Sequence, residues 1–430
     1  MPESTKTLSH ELCELAGEKH NHVVFSNSGA ETAEAATKVV RTKTGRVNIL
    51  STVNSVHGKT HSALSATGLT KCSSPATVDN HSFMKMPFND IEALKSELSS
   101  KKHAAFVVEP VQGEGGVVIA NEEFLQAAEE ARAATGALFV LDETQTGLGR
   151  AGHLFAKDAC NVAPDMVLLS KALGGGVHPV GAVVAKASAC SKEFDKKHSS
   201  TFAGAGLGAS VALATPEPLT KLECDSSFLG SAIIGNVQGT SHCINDLAKR
   251  HPRTISSRGT GLMWSLNFED TEDQAVGNTV STVINKTALS HLVCGFLLNE
   301  RQILVVPFLG DENSVRFEPP LTISPRETMQ FINAIEEVCK TLKNQRHDMS
   351  LSCLTDRETD DGEIDVPFIQ KKMTPQSISP RPNEKPRRKF AFFAHLLDAN
   401  DTMKQLPKSM LATHSTGEQQ KLAELIHEKG

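Results

Sequence analysis

The sequence predicts an α/β fold: a mostly parallel sheet flanked by helices, with a smaller C-terminal α+β domain after it. Two patterns carry that reading. Short apolar runs recur between residues 22 and 186 with amphipathic helical stretches among them, and beyond residue 215 the pattern shifts to longer helices and a few extended pieces.

The first run, HVVFSNSG (22–29), leads into AETAEAATKVVRTK (30–43), whose apolar positions repeat at helical spacing. RVNILST (46–52) and AAFVVEP (104–110) are the next strand candidates. NEEFLQAAEEARAATG (121–136) is an amphipathic helix ending on Gly136, a residue suited to the left-handed conformation of a helix C-cap. ALFVLDE (137–143), DMVLLSK (165–171) and VGAVVAK (180–186) follow as apolar runs. Strands alternating with helices form βαβ units, whose crossovers make the sheet parallel and cover both its faces. Past the turn-rich TPEPLTKLE, the stretches GLMWSLNFE (261–269), RQILVVPFL (301–309) and NSVRFEPPLTI (313–323) read as extended. SPRETMQFINAIEEVCKTLKNQ reads as a helix opened by Ser324 and Pro325.

The expected organisation is therefore a large α/β domain over 1–215 and a smaller domain over 216–345. Residues 346–388, polar and rich in proline, read as a disordered linker, and 389–430 as a short segment that is a candidate start of a further domain. The basic run KPRRK (385–389) reads as solvated charge in that linker.

Composition narrows the function classes. With 44 Lys+Arg against 50 Asp+Glu, the chain lacks the basic surplus that neutralising nucleic-acid phosphates requires. Nine cysteines without a CxxC spacing read as free thiols of a reducing compartment, so the expected location is cytoplasmic. The absence of a run of about 18 apolar residues argues against a transmembrane helix. Tyrosine is absent and tryptophan occurs once, so stacking on a ligand would fall to phenylalanine or histidine.

Open α/β sheets bind ligands at the carboxyl ends of their strands, and three stretches end there. In SNSGAETAEAATK, Ser28, Gly29 and Ala30 open a helix and offer free amides and a positive dipole end to a phosphate, although an ordinary βα turn looks the same. In ALFVLDETQTGLGRAG, a strand ends on Asp142-Glu143, with Gln145 close behind. A buried carboxylate needs a partner, either a pyridinium nitrogen or a structural cation. The same stretch contains Gly147-Leu148-Gly149-Arg150-Ala151-Gly152, but five residues separate strand from first glycine, so it fits the dinucleotide fingerprint poorly. In PDMVLLSKALGGG, a strand delivers Lys171 to its end with glycines behind it, as an imine-forming lysine would require; a snorkelling lysine is the bland alternative. Asp142 and Lys171 are separated by one strand-loop-helix excursion, which lets both reach one crevice from adjacent strands. His57 and His61 are four apart, but Gly58 and the lack of an acidic third ligand argue against a metal.

Together, FSNSGAETAEAATK, NSVHGKTHSALSATG, VVEPVQGEGG, LDETQTGLGRAG, LLSKALGGG, STFAG, RGTGLM and VRFEPPL resemble the class III aminotransferases over residues 20–342. That fold-type-I family includes ornithine, acetylornithine, 4-aminobutyrate and putrescine aminotransferases. The resemblance implies pyridoxal 5'-phosphate as cofactor, with Lys171 as the Schiff-base lysine and Asp142 as the acid facing the pyridinium nitrogen. It places Gln145 on the ring hydroxyl oxygen, and Ser28, Gly29 and Ala30 around the phosphate. Val56, His57 and Glu109 fall beside the cofactor, Val56 where the family usually has an aromatic residue. Thr201 resembles the threonine that completes the partner subunit's phosphate site, which implies a homodimer. Glu114 and Arg316 match substrate-binding positions, the arginine for a carboxylate. The implied reaction moves nitrogen from an amine or amino acid to a 2-oxo acid. The stretch AGAGLG after Thr201 departs from the family's usual GGNPL, and only about 20 residues precede the SGAE segment, so the chain reads as N-terminally shortened. An aminomutase or decarboxylase on the same fold, or a catalytically impaired fragment, stays open as an alternative.

Overall fold

The computed structural model describes residues 1–343 apart from 18, 73–80, 216–227, 253, 269–285 and 312. The expected linker, the 389–430 segment and KPRRK lie outside the described residues.

In chain order the first part comprises α1 (Glu3–Ala16), β1 (His20–Ser26), α2 (Gly29–Thr44), β2 (Asn48–Thr52), α3 (His61–Ala66), β3 (Phe83–Met86), α4 (Ile91–Ser99) and β4 (His103–Val108). It continues with the small hairpin β5 (Val111–Gln112) and β6 (Val118–Ile119), then α5 (Glu122–Thr135), β7 (Leu138–Asp142), α6 (Ala156–Ala159), β8 (Met166–Leu169), β9 (Gly181–Lys186), α7 (Lys192–Lys197) and α8 (Gly206–Ala214). Seven strands form one sheet in the order β1-β9-β8-β7-β4-β2-β3. Every neighbouring pair from β8 to β3 is parallel, and β9 runs antiparallel to both β8 and β1. Strands β4 and β9 are buried along their whole length, as a sheet covered on both faces requires.

Two helices show why the sequence takes this form. Ser28 caps α2 by accepting the Glu31 amide at 3.2 Å, while Glu31 Oε2 accepts the Asn27 amide at 2.8 Å. Its inner face buries Ala33, Ala36, Val39 and Val40 on the sheet. Helix α5 begins with Glu122 and Glu123, which favour the positive dipole end, and stops at Gly136 with φ 72°. Phe124 from α5 is fully buried, edge-on to Phe88 at 5.6 Å and to Phe106 at 5.9 Å.

The second part has helices α9 (Phe228–Arg250), α10 (Lys286–Arg301) and α11 (Pro325–Lys343) on an antiparallel sheet of β10 (Ile255–Thr260), β11 (Met263–Phe268) and β12 (Ser314–Phe317). Ser324 and Glu327 form a reciprocal capping box at the head of α11. Phe331 from α11 stacks on Phe317 of β12 at 4.2 Å.

Four elements differ from the sequence reading. The run 301–309 is not a strand: α10 reaches Arg301, and within the run Pro307 makes an isolated bridge to Val315. Proline has no amide to give a ladder. The polar opening forms α1, which buries Leu8, Leu12 and Ala16 at helical spacing. Strands β3 and β10 were not expected; both are short and partly exposed, with weak apolar patterning. Among the described residues no helix is long and apolar enough to cross a membrane.

Phe124→Ala removes a side chain shared by two aromatic contacts in a packed layer and should lower unfolding free energy by about 3–5 kcal/mol. Denaturant unfolding checks this, and a loss below about 1 kcal/mol would show that the layer repacks freely.

Candidate active site

The strand ends of β7 and β8 meet at the carboxyl edge of the central sheet. Asp142, the last residue of β7, is 5% exposed. Its Oδ2 lies 2.7 Å from His57 Nδ1, and its Oδ1 accepts the Thr144 amide at 3.1 Å. Burial alone would raise the Asp142 pKa, but the His57 hydrogen bond and charge hold the carboxyl below its ordinary range. Burial likewise opposes a charge on His57, and Asp142 outweighs it, so the imidazole titrates above its usual value. Each partner thus favours the charged form of the other. His57 Nε2 is buried and has no hydrogen-bond partner among the described residues.

His57 arrives on the loop after β2. That loop needs Gly58, whose φ is +132° and where a Cβ would come within 2.8 Å of the Ala30 backbone. Val56, half-buried, donates its amide to Glu109 Oε2 at 2.9 Å. Glu109 is buried just past β4, and burial pushes its carboxyl up to about 7.

Lys171 follows β8 with φ 39°, a left-handed conformation unusual for a side-chain-bearing residue. Lys171 itself is exposed, directly after the fully buried strand β8. Crowding by protein atoms lowers its pKa, and Glu318, Glu114, Glu109 and Asp142 pull the other way. The charges of four carboxylates thus act on one lysine.

The opposite wall comes from β12 and the residues after it. Arg316 Nη2 pairs with Glu114 at 2.6 Å, and its guanidinium lies 4.6 Å over the Phe308 ring. Arg316 Nε is buried without a partner among the described residues. Two residues on, Glu318 accepts the Gln145 amide on both oxygens, at 3.1 and 2.9 Å. Gln145 reaches it across Gly113, where a Cβ would sit 2.1 Å from Gln145 Oε1. At the head of α2, the Gly29 and Ala30 amides precede Thr32, the first intrahelical donor, and are placed to meet an anion. A Cβ at Gly29 would come within 2.6 Å of Thr144.

The structure brings together Asp142, Lys171, Gln145, Glu109, Glu114, Arg316 and the Val56-His57 loop. Thr201 stands apart: it is exposed, beside Ser200, whose hydroxyl accepts Asn27 Nδ2 at 3.1 Å. His57 faces Asp142 rather than His61, which is exposed. The glycines at 147–152 form a run of turns whose amides bond within the loop, including Gly149 to His153 and Ala151 to Thr146, and start no helix. Sequence reasoning missed Glu318. The signal was its place two residues after Arg316 on an extended run, which sends both side chains to one face.

Residues 1–339 match the family model described as class-III aminotransferase. An aminotransferase of a Serratia species, PigE, is 33% identical over 383 residues, which cover 80% of this chain and 44% of that protein. This chain thus spans less than half the length of that curated relative. The putrescine aminotransferase of Pectobacterium atrosepticum is 34% identical over 354 residues, covering 79% of this chain and 70% of that protein. Among solved structures, the ornithine aminotransferase of Toxoplasma gondii superposes with a TM-score of 0.66 at 27% identity, over 80% of this chain and 78% of that one. A transaminase from the marine bacterium Virgibacillus shares the fold, with a TM-score of 0.69 at 24% identity over 80% of each chain.

The neighbour of Asp142 supplies a pH test. Glu143 is buried and accepts the amides of Ala156 and Lys157 at 2.6 and 2.9 Å, yet burial pushes its carboxyl up to about 7. An unfolded chain ionises this group near 4.5, so between 4.5 and 7 the folded chain binds the extra proton and stability falls as pH rises. Glu143→Gln removes that loss. Its melting temperature relative to the parent should therefore improve from pH 5 to pH 8, and a difference that stays flat or worsens contradicts the assignment.

Proposed function

The chain belongs to the class-III aminotransferase family, and from that premise we propose that it moves an amino group from an amine or amino acid to a 2-oxo acid. Donors of the ornithine, acetylornithine, ω-amino acid and polyamine types are the candidates, in keeping with the ornithine and putrescine aminotransferases it resembles. The family depends on pyridoxal phosphate. The observation that carries the reading is the juxtaposition of Lys171 with the His57–Asp142 pair at two adjacent strand ends.

The residues present fit that cofactor. Asp142 is held anionic at the floor of the crevice, as a partner for a ring cation must be. The free amides of Gly29 and Ala30 suit a phosphate. Ser28 shapes that turn by capping α2. Gln145 carries amide hydrogens suited to the ring hydroxyl oxygen, and Glu109 and Val56 would border the ring. Val56 supplies no aromatic face, so stacking of about 0.5–1.5 kcal/mol is forgone there.

Bound pyridoxal phosphate supplies a cationic ring that takes up the electron pair left when the substrate Cα–H bond breaks. Asp142 would hold a proton at the ring nitrogen, with His57 favouring its ionised form and fixing its aim. Lys171 Nζ would hold the cofactor and, once free of it, would take up the proton from the substrate Cα. A lowered lysine pKa favours the neutral amine that both tasks require. Arg316 offers its planar fork to the carboxylate of the 2-oxo acid, exchanging Glu114 for it. We further propose a cytoplasmic homodimer in which Thr201 completes the partner's phosphate site. In support, Phe202 and Leu207 beside it are 76% and 68% exposed, leaving apolar surface to cover.

Reconstitution with pyridoxal phosphate should give a visible-absorbing protein in which borohydride fixes the cofactor to the peptide carrying Lys171. The label should vanish in Lys171→Ala. Label on another lysine, or on none, contradicts the reading.

A further inference from the structure

Two arginines of the second sheet hold one turn of the first part. In the ladders of β10, β11 and β12, Ser265 lies opposite both Arg258 and Arg316, so the two arginines rise from one face of the sheet with a single strand between them. Arg316 reaches Glu114 at 2.6 Å and Glu318 at 3.8 Å. Arg258 pairs with Asp311, and its Nε donates to the Gly116 carbonyl. Glu114 and Gly116 belong to the same turn, residues 113–117, which joins β5 to β6. That turn is therefore held at two points, by its Glu114 carboxylate and by its Gly116 carbonyl.

Arg258 also reaches the segment that supports Glu114 from behind. Gly310 donates its amide to the Glu114 carbonyl at 2.9 Å, and Asp311, the next residue, takes the Arg258 guanidinium. One side chain thus ties the turn to its own support. The fit is close: a Cβ at Gly116 would come within 2.5 Å of the Arg258 guanidinium and 2.7 Å of the Asp311 carboxylate. The turn also needs holding. Val117, a β-branched residue at φ 58°, takes a left-handed backbone that costs free energy and persists only where neighbours fix it. It is buried with Met263 and Phe308, and the same Phe308 ring underlies the Arg316 guanidinium.

Resting on the transaminase reading above, we propose that Arg258 is the positioning residue that keeps the Glu114 carboxylate on Arg316, and thereby sets how readily a substrate carboxylate displaces it. Glu114 competes with that carboxylate for one fork. A carboxylate on a pinned turn competes at high effective concentration, and one on a loosened turn does not. Losing Arg258 therefore tightens the binding of a carboxylate at Arg316. General damage to the site, or the loss of a cation by itself, weakens it. The sign of the change separates the two.

The test measures calorimetric binding of glutarate, an unreactive dicarboxylate, to the full chain loaded with pyridoxal phosphate. Glu114→Gln should tighten it about tenfold, the scale of a charge-assisted hydrogen bond, and Arg258→Met about fivefold. The double variant should bind no more than about twofold tighter than Glu114→Gln alone, since Arg258 acts through Glu114. Unchanged or weaker binding in Arg258→Met overturns the proposal. So do effects that add in the double variant, or a Glu114→Gln chain that binds glutarate no better than the parent. If Arg258→Met does not fold, Arg258→Lys decides, because it keeps the charge but can hold only one of the two partners: it should tighten binding about twofold or more, and no gain overturns the proposal. If the loaded parent moves nitrogen from no amine or amino acid to 2-oxoglutarate, the transaminase reading fails by itself, and the glutarate comparison still decides the role of Arg258.

Discussion

A carboxylate buried at the end of a parallel strand is costly in free energy unless something holds its charge, and the contact between Asp142 and His57 is what holds it here. The two residues lie on strands that are not neighbours. Strand β4 separates β7 from β2, so the loop after β2 must arch over the end of β4 to deliver the imidazole. Glu109, at the end of β4, supports that arch by taking the Val56 amide, and Gly58 lets it pass close to the head of α2. One ion pair thus ties together three strand ends and a helix start. Removing one partner of such a buried pair costs about 3–5 kcal/mol by the usual scale, so the pair serves the fold as well as the chemistry.

The same constraint shapes the electrostatics. Asp142 and His57 form a charge-assisted pair at the strand ends, and on the side supplied by the second sheet the carboxylates of Glu114 and Glu318 flank Arg316. Lys171 stands within this field, held by a strained backbone at the end of β8. Crowding and the acids pull its proton affinity in opposite directions, the sort of balance expected of a lysine that must alternate between charged and neutral forms. Arg316 is similarly poised, since a guanidinium occupied by Glu114 can exchange that carboxylate for another with little change in solvation.

Much of this was legible in the residues. The apolar runs ending on Asp142 and Lys171 placed those side chains on adjacent strands, and Gly136 marked the end of α5, because periodicity and capping are local properties. Helix α1 was obscured by polar neighbours, although Leu8 and Leu12 show the four-residue spacing. The run 301–309 misled because apolar content suggests a strand, whereas pairing depends on a free edge and available amides, which Pro307 lacks. Family resemblance put His57 beside the cofactor, yet its contact with Asp142 spans 85 positions of chain and follows from strand order alone. Glu318 was hidden for a similar reason: its partner Gln145 is 173 positions away.

The account stands or falls on the charge state of the pair beneath the crevice. The most direct measurement is the titration of His57 by histidine-selective nitrogen NMR, in the parent chain and in Asp142→Asn. A midpoint above the ordinary 6.5 that falls when Asp142 is neutralised is the predicted result. A His57 that titrates at or below 6.5 and ignores the substitution would mean that Asp142 is not held anionic by this contact, and the proposed basis for the site would be wrong.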